Sequence, residues 1–204
     1  PRHFRRFWNG VALFGSFYPV PMDTILRENA EAMASRDCEP LIPTLARQVY
    51  VNRFSAGEKT VFMVYNATGH TFAGPVLRIG LGPGEHVFDL LRGREAELTR
   101  EGGQATIRCF LPRDEAICLL RVPGRLGVKR SGESLEIAVT KPAKACRVAV
   151  CDALGQTLVA RPVEAEPVRL NLSDLPARSA KPACVKLLDG GRLLDAAPVL
   201  SDSR

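Results

Sequence analysis

The chain has little of what metal, redox and stacking sites are built from. Its 204 residues hold three histidines and one tryptophan. The six cysteines, at positions 38, 109, 118, 146, 151 and 184, include no Cys-x-x-Cys pair. A zinc site of ordinary ligand spacing is therefore not visible, and no cofactor is expected. No apolar run approaches the ~20 residues that cross a bilayer, so no membrane partner is expected either. Aromatic side chains make up 6% of the chain and are absent from residues 125–204, which removes a stacking platform from that part.

The formal charge of +6 is thin and spread out. Residues 1–46 carry five basic and five acidic side chains, residues 47–124 ten and eight, and residues 125–204 thirteen and nine. A nucleic-acid surface concentrates Lys and Arg on one face or run. The densest patch here is Arg2, Arg5 and Arg6 beside Phe4, Phe7 and Trp8. Basic residues in this dilution solvate a surface, and nucleic acid is not expected as a partner. The cysteines read as small buried hydrophobes with free thiols, which leans towards a reducing, cytoplasmic compartment. Cys109 and Cys118 are placed to face each other across a hairpin, and Cys146 and Cys151 share one strand. Asn66-Ala67-Thr68 and Asn171-Leu172-Ser173 match the glycosylation sequon, a match common by chance.

Texture changes once, early. Residues 1–22 are aromatic-rich and broken by Gly10, Gly15, Pro19 and Pro21. Asp23 then stands as an N-cap for a helix over 24–36, with Ile25, Asn29, Ala32 and Met33 on one face. Pro40 and Pro43 stop it. From Gln48 the pattern is β: Thr60 to Asn66 is the strongest strand, and others are expected at 75–80, 85–90, 95–99, 104–111 and 115–122. Turn residues separate them, among them Gly80-Leu81-Gly82-Pro83-Gly84. That run lacks the Lys-Ser/Thr ending of a phosphate loop and reads as a hairpin turn. Val122-Pro123-Gly124 marks a second boundary, followed by strands at 134–139, 145–151, 157–161, 167–172, 183–188 and 192–195. Leu135, Ile137 and Val139 alternate with Glu136 and Ala138, as in a sheet with one wet face. The expected fold is mainly β: a loop and helix over 1–46, a β-sandwich over 47–124, and a small immunoglobulin-like or fibronectin-like sandwich over 125–204.

Catalytic candidates are few. Asp23, Glu28, Glu31, Asp37, Asp89, Glu95 and Glu97 are the carboxylates available for sugar hydrolysis, but sequence brings no two of them together. Asp89, inside Val87-Phe88-Asp89-Leu90-Leu91, is expected to accept backbone N–H groups at a strand end or to pair with Arg92 or Arg94. Asn52 and Asn66 are structural polar candidates of the same kind. His70 in a turn and His86 on a strand read as surface or edge residues rather than general bases. For ligand contact the best candidates are Trp8, Asn9, Phe17 and Tyr18, where ring faces and an amide suit a sugar. The competing reading packs those rings against an adjoining domain.

Several motifs, taken in order, carry a resemblance: Glu39-Pro40-Leu41-Ile42-Pro43-Thr44-Leu45, Tyr50-Val51-Asn52-Arg53-Phe54, Val64-Tyr65-Asn66-Ala67-Thr68, Gly74-Pro75-Val76-Leu77 and Phe88-Asp89-Leu90. Together they resemble the C-terminal part of bacterial TIM-barrel glycoside hydrolase-like proteins, over about residues 5–122. The resemblance implies that residues 1–38 close a barrel, that the following β module packs on it, and that catalytic carboxylates lie on earlier barrel strands. The chain, which opens on Pro1, is then the C-terminal end of a longer polypeptide whose missing barrel is its main partner. It is expected to be inactive alone, a scaffold whose residues 8–18 reach the rim of a carbohydrate site. The alternative is a stand-alone carbohydrate-binding or adhesion protein built from β-sandwiches.

Overall fold

The computed structural model describes residues 20–142, 145–164, 167–175 and 181–200. Among them strands account for 59% and helix for 8%, and there is no barrel. Two helical segments come first, α1 (Val20–Glu28) and α2 (Ala30–Met33). The helix starts earlier than the sequence pattern suggests because Pro21 is tolerated in a first turn, where its missing N–H would be unpaired anyway. Asp23 is consequently not the N-cap. It lies inside α1 and pairs with Arg27 at 3.0 Å. The break between α1 and α2 is caused by Asn29, whose fully buried Nδ2 donates to the Ile25 carbonyl at 2.8 Å, the same acceptor its own backbone N–H uses. Such back-bonding competes with the helical ladder.

Nine strands follow: β1 (Cys38–Glu39), β2 (Val49–Ala56), β3 (Lys59–Asn66), β4 (Phe72–Gly80), β5 (Glu85–Asp89), β6 (Arg94–Glu95), β7 (Glu97–Glu101), β8 (Gln104–Leu111) and β9 (Ala116–Pro123). They form an antiparallel six-stranded sheet in the order β1-β2-β3-β9-β5-β6 and a three-stranded sheet in the order β4-β8-β7. The chain crosses between these two sheets repeatedly, and this overturns two expectations. Gly80–Gly84 joins β4 to β5, which lie in different sheets, so it is a crossover and not a hairpin turn. Leu81 is buried in the core there, and the Gly82 N–H donates to Glu85 Oε2 at 2.7 Å. Cys109 on β8 and Cys118 on β9 likewise do not face each other, because those strands also belong to different sheets and their thiols enter different cores.

The remaining strands are β10 (Leu126–Ser131), β11 (Ser134–Val139), β12 (Cys146–Asp152), β13 (Thr157–Pro162), β14 (Val168–Asn171), β15 (Pro182–Asp189) and β16 (Arg192–Pro198). They build a three-stranded sheet, β10-β11-β14, and a four-stranded sheet, β13-β12-β15-β16. On β11 the expected alternation holds, with Leu135, Ile137 and Val139 buried.

The four sheets enclose three cores. Val49, Val51, Phe62, Val64, Ile117 and Leu119 meet Val76, Leu77 and Ile107 between the first two sheets. Leu135, Ile137, Val148, Val150, Val185 and Leu187 fill the space between the last two. The third core lies between these pairs. Val61, Met63, Tyr65, Cys118 and Leu120, from the other face of the six-stranded sheet, meet Ala149, Cys151, Cys184 and Leu193 of the four-stranded sheet, with Met22, Ile25, Leu26 and Ala32 of the helix wedged among them. The middle of the six-stranded sheet is therefore covered on both faces, which is why all eight residues of β3 are buried, while the outer strands β1 and β6 stay exposed.

Neighbours on β3 report on different cores. Phe62→Ala is expected to remove about 3–5 kcal/mol and Met63→Ala about 2–5 kcal/mol, each in a single urea transition. A loss well under ~1 kcal/mol at Met63, against a full loss at Phe62, would mean that the core shared with the helix is not formed.

Candidate functional site: a charged seam beside the helix

Burying both faces of a sheet forces its charged residues to find partners inside. Five elements bring such residues together along the edge of the shared core. Glu28 at the end of α1 meets Lys186 of β15, Oε2 to Nζ 2.7 Å, with the lysine 4% exposed. Glu31 on α2 takes two cations: Lys59 at the start of β3 lies 3.0 Å from Oε1, and Arg192 at the start of β16 lies 3.0 Å from Oε2. Arg192 also holds Asp189 at 3.0 Å, and Arg125, between β9 and β10, holds Glu58 at 2.7 Å. Two open clefts flank this line, one of about 470 Å³ against Thr24, Arg27 and Gly190, the other of about 320 Å³ against Ala56, Pro123 and Leu194. Glu31 and Arg192 line both.

Ionisation follows from the packing. Burial drives the Lys59 ammonium below the ordinary lysine range, although Glu31 opposes this. At Lys186 burial acts in the same sense, but the Glu28 charge and hydrogen bond outweigh it and the value rises. Burial tends to raise Glu31, yet Lys59 and Arg192 together hold it below the usual carboxylate range. Glu31 is therefore ionised and occupied at both oxygens. A glycosidic general acid needs the opposite, a carboxyl kept protonated near neutrality.

At the other end of the seam His86 of β5 is clamped between two carboxylates. Nε2 lies 2.7 Å from Asp195 Oδ1 on β16, and Nδ1 lies 2.8 Å from Glu95 Oε1 on β6. Burial works against the charged ring, but the hydrogen bonds and charges of Asp195 and Glu95 prevail and lift it to about 10. Both ring nitrogens therefore donate at neutral pH. Asp195, fully buried, also accepts the backbone N–H groups of Arg125 and Leu126 at 2.6 and 2.8 Å through Oδ2, and that of Ala196 at 2.7 Å through Oδ1. One carboxylate thus fixes the connection between the two pairs of sheets. His86 is not the surface residue its alternating strand pattern suggests: its side chain is 19% exposed.

The other sequence candidates are committed elsewhere in the fold. Asp89 Oδ1 accepts the N–H groups of Leu91 and Arg92 at 3.1 Å each, and Oδ2 pairs with Arg92 Nη1 at 2.8 Å. Arg92 continues to the Phe110 carbonyl at 2.8 Å, linking the first two sheets. Asn66 donates through Nδ2 to the carbonyls of His70, Leu111 and Pro112 at 2.8, 2.9 and 3.0 Å, and accepts from Thr68. Its amide nitrogen is committed inside the fold, so the sequon there presents no acceptor. Asn52 Oδ1 accepts from the N–H of Leu41 at 3.0 Å, holding that residue at a φ of 55°. Trp8, Asn9, Phe17 and Tyr18 lie outside the described residues. The sequence reading missed Lys59, Lys186 and Asp195. For two of them a signal existed, since Lys186 sits in Cys184-Val185-Lys186-Leu187-Leu188 and Asp195 in Leu193-Leu194-Asp195-Ala196-Ala197.

Fold and seam together define a mainly β protein of stacked antiparallel sheets, with a short helix pinned between two of them by buried ion pairs. Comparison with protein-family models finds no match, and a search of curated proteins finds none either. Among the described residues no helix is long and apolar enough to cross a membrane, and no cluster of His, Cys, Asp and Glu is placed to hold a metal ion.

Two measurements probe the seam. Replacing Glu31 by Gln leaves the Lys59 charge buried without its counterion and is expected to cost about 3–5 kcal/mol, most of it recovered when Lys59→Met is added; a double variant as unstable as the single one contradicts the pairing. For His86 the folded pKa lies above the unfolded one, so its contribution is fully present below about pH 6.5 and is lost as pH rises towards about 10. The stability difference between the natural protein and His86→Gln, followed by urea unfolding, should shrink by on the order of 2–4 kcal/mol across that window. A difference that stays constant would remove the charged clamp.

Proposed function

We propose that this chain is the non-catalytic C-terminal part of a glycoside hydrolase-like enzyme. Residues 1–46 form the closing segment of a barrel, 47–124 a β-sandwich packed against it, and 125–204 a second, smaller sandwich. Its work is mechanical: it holds the barrel's last helix and, through residues 8–18, the rim of a carbohydrate site. The observation that supports this best is the pinning of the helix. Apolar packing by Met22, Ile25, Leu26 and Ala32 supplies the attachment. Glu28–Lys186 and Glu31–Lys59 then fix its rotation and register against both neighbouring sheets, the use of buried charge for which evidence is strongest. A segment entering at Val20 is thereby joined rigidly to everything that follows. Scaffolding also accords with the state of the seam's carboxylates, each held by a cation or by backbone N–H groups.

The test has two arms. The reading frame before Pro1 should encode several hundred residues of alternating strands and helices with Asp or Glu at strand ends, and purified 1–204 should turn over no aryl glycoside. A signal peptide directly before Pro1, measurable turnover by 1–204, or specific glycan-array binding by the isolated chain would overturn the reading, the last in favour of a stand-alone carbohydrate-binding protein.

A further inference from the structure

Two of the six cysteines stand apart from the rest. Cys38 is exposed on a two-residue strand. Cys109, Cys118 and Cys146 are buried, and each is in a different core. Burial pushes the Cys109 thiol up to about 12 and Cys118 higher still, which makes both inert at neutral pH. Cys151 and Cys184, by contrast, are register partners on adjacent antiparallel strands, β12 and β15, and both face the core shared with the helix. Directly opposed residues of such a ladder have Cα atoms about 4.5–5.5 Å apart, inside the window of about 4.4–6.8 Å that a disulfide spans. Both are free thiols, with no disulfide between them. We propose that Cys151 and Cys184 are a modification site, a dithiol that peroxide oxidises reversibly to a cross-strand disulfide within the folded protein.

The surroundings assign the roles. Cys151 is the nucleophile because it is the thiol beside the open edge of its sheet, next to the Thr157 hydroxyl of β13, whereas Cys184 faces Gly93 on the inner side. Thr157 is exposed, on the edge strand β13, with Oγ1 3.9 Å from the Cys151 sulfur, and this is the side from which a small oxidant approaches. The Cys151 thiolate attacks one oxygen of hydrogen peroxide, the O–O bond breaks, and the leaving hydroxide takes a proton to become water. The resulting sulfenic acid is attacked by the Cys184 sulfur, which loses its proton as the S–S bond forms and a second water leaves. Two thiols and one peroxide give one disulfide and two waters. On the far side, Gly93 packs close: a Cβ built there would lie 3.7 Å from both Cβ and Sγ of Cys184. The bond therefore forms where the two pairs of sheets meet.

The experiment uses the full chain carrying Cys38→Ser, which removes the exposed thiol. It is treated at neutral pH with millimolar hydrogen peroxide, quenched with an alkylating reagent and mapped by mass spectrometry without reduction. The expected result is a peptide joining Cys151 to Cys184, roughly tenfold above any other cysteine pair, that disappears with dithiothreitol; adding Cys184→Ser should instead leave a dimedone-reactive sulfenic acid at Cys151. Another dominant cysteine pair, no cross-link in the folded protein, or a Cys151–Cys184 link that appears only in guanidinium would overturn the proposal.

Discussion

The middle of the six-stranded sheet has no wet face, and the rest of the structure follows from that constraint. A sheet covered on one side can place its charged residues outward. This one is covered by the β4-β8-β7 sheet on one face and by the helix and the four-stranded sheet on the other. Lys59, nearly buried at the wall of a cleft, takes Glu31 from the helix. The helix can supply that carboxylate only if it sits between the sheets. Once there, it brings Glu28 to Lys186, which solves the same problem for β15.

Buried ion pairs of this kind add little net stability, because desolvation offsets most of the attraction. What they contribute is discrimination between arrangements. An apolar helix face slides or rotates by a residue at small cost, whereas a shift here would strand two buried lysines at once. The same logic holds at Asp195, which binds His86 of one pair of sheets and the backbone of the connection to the other. Rigid coupling along the chain is what a scaffold requires. It also leaves each of the seam's carboxylates paired with a cation or with backbone N–H groups.

Much of the β pattern was legible from sequence because it rests on short-range rules. β8 and β11 fall on the residues that alternation marks, 104–111 and 134–139, and the turns at Gly102-Gly103 and Gly190-Gly191 join paired strands. The two-residue β1 is too short to show alternation, and β10, alternating between half-buried and exposed positions with only Leu126 and Val128 apolar, escaped it too. Sheet membership is a long-range property, so a Gly-Pro-Gly run that looks like a hairpin turned out to cross between sheets. The seam was the least legible part. Lys59 and Glu31 are far apart in sequence, and neither has an unusual neighbourhood. His86 read as an edge residue because its two carboxylates come from β6 and β16, strands that only the fold brings together. The Cys151–Cys184 pairing was hidden for the same reason.

If the ion pairs join the helix to both neighbouring sheets, the helix cannot open by itself. Native-state hydrogen exchange read by mass spectrometry tests this most directly. Amides of α1 and α2 (Val20–Met33), β3 and β15 should exchange with the same free energy of opening, that of global unfolding, and with the same denaturant dependence. If the helical amides exchange orders of magnitude faster than those of β3 and β15, with little dependence on denaturant, the helix is a loosely held flap and the central claim is wrong.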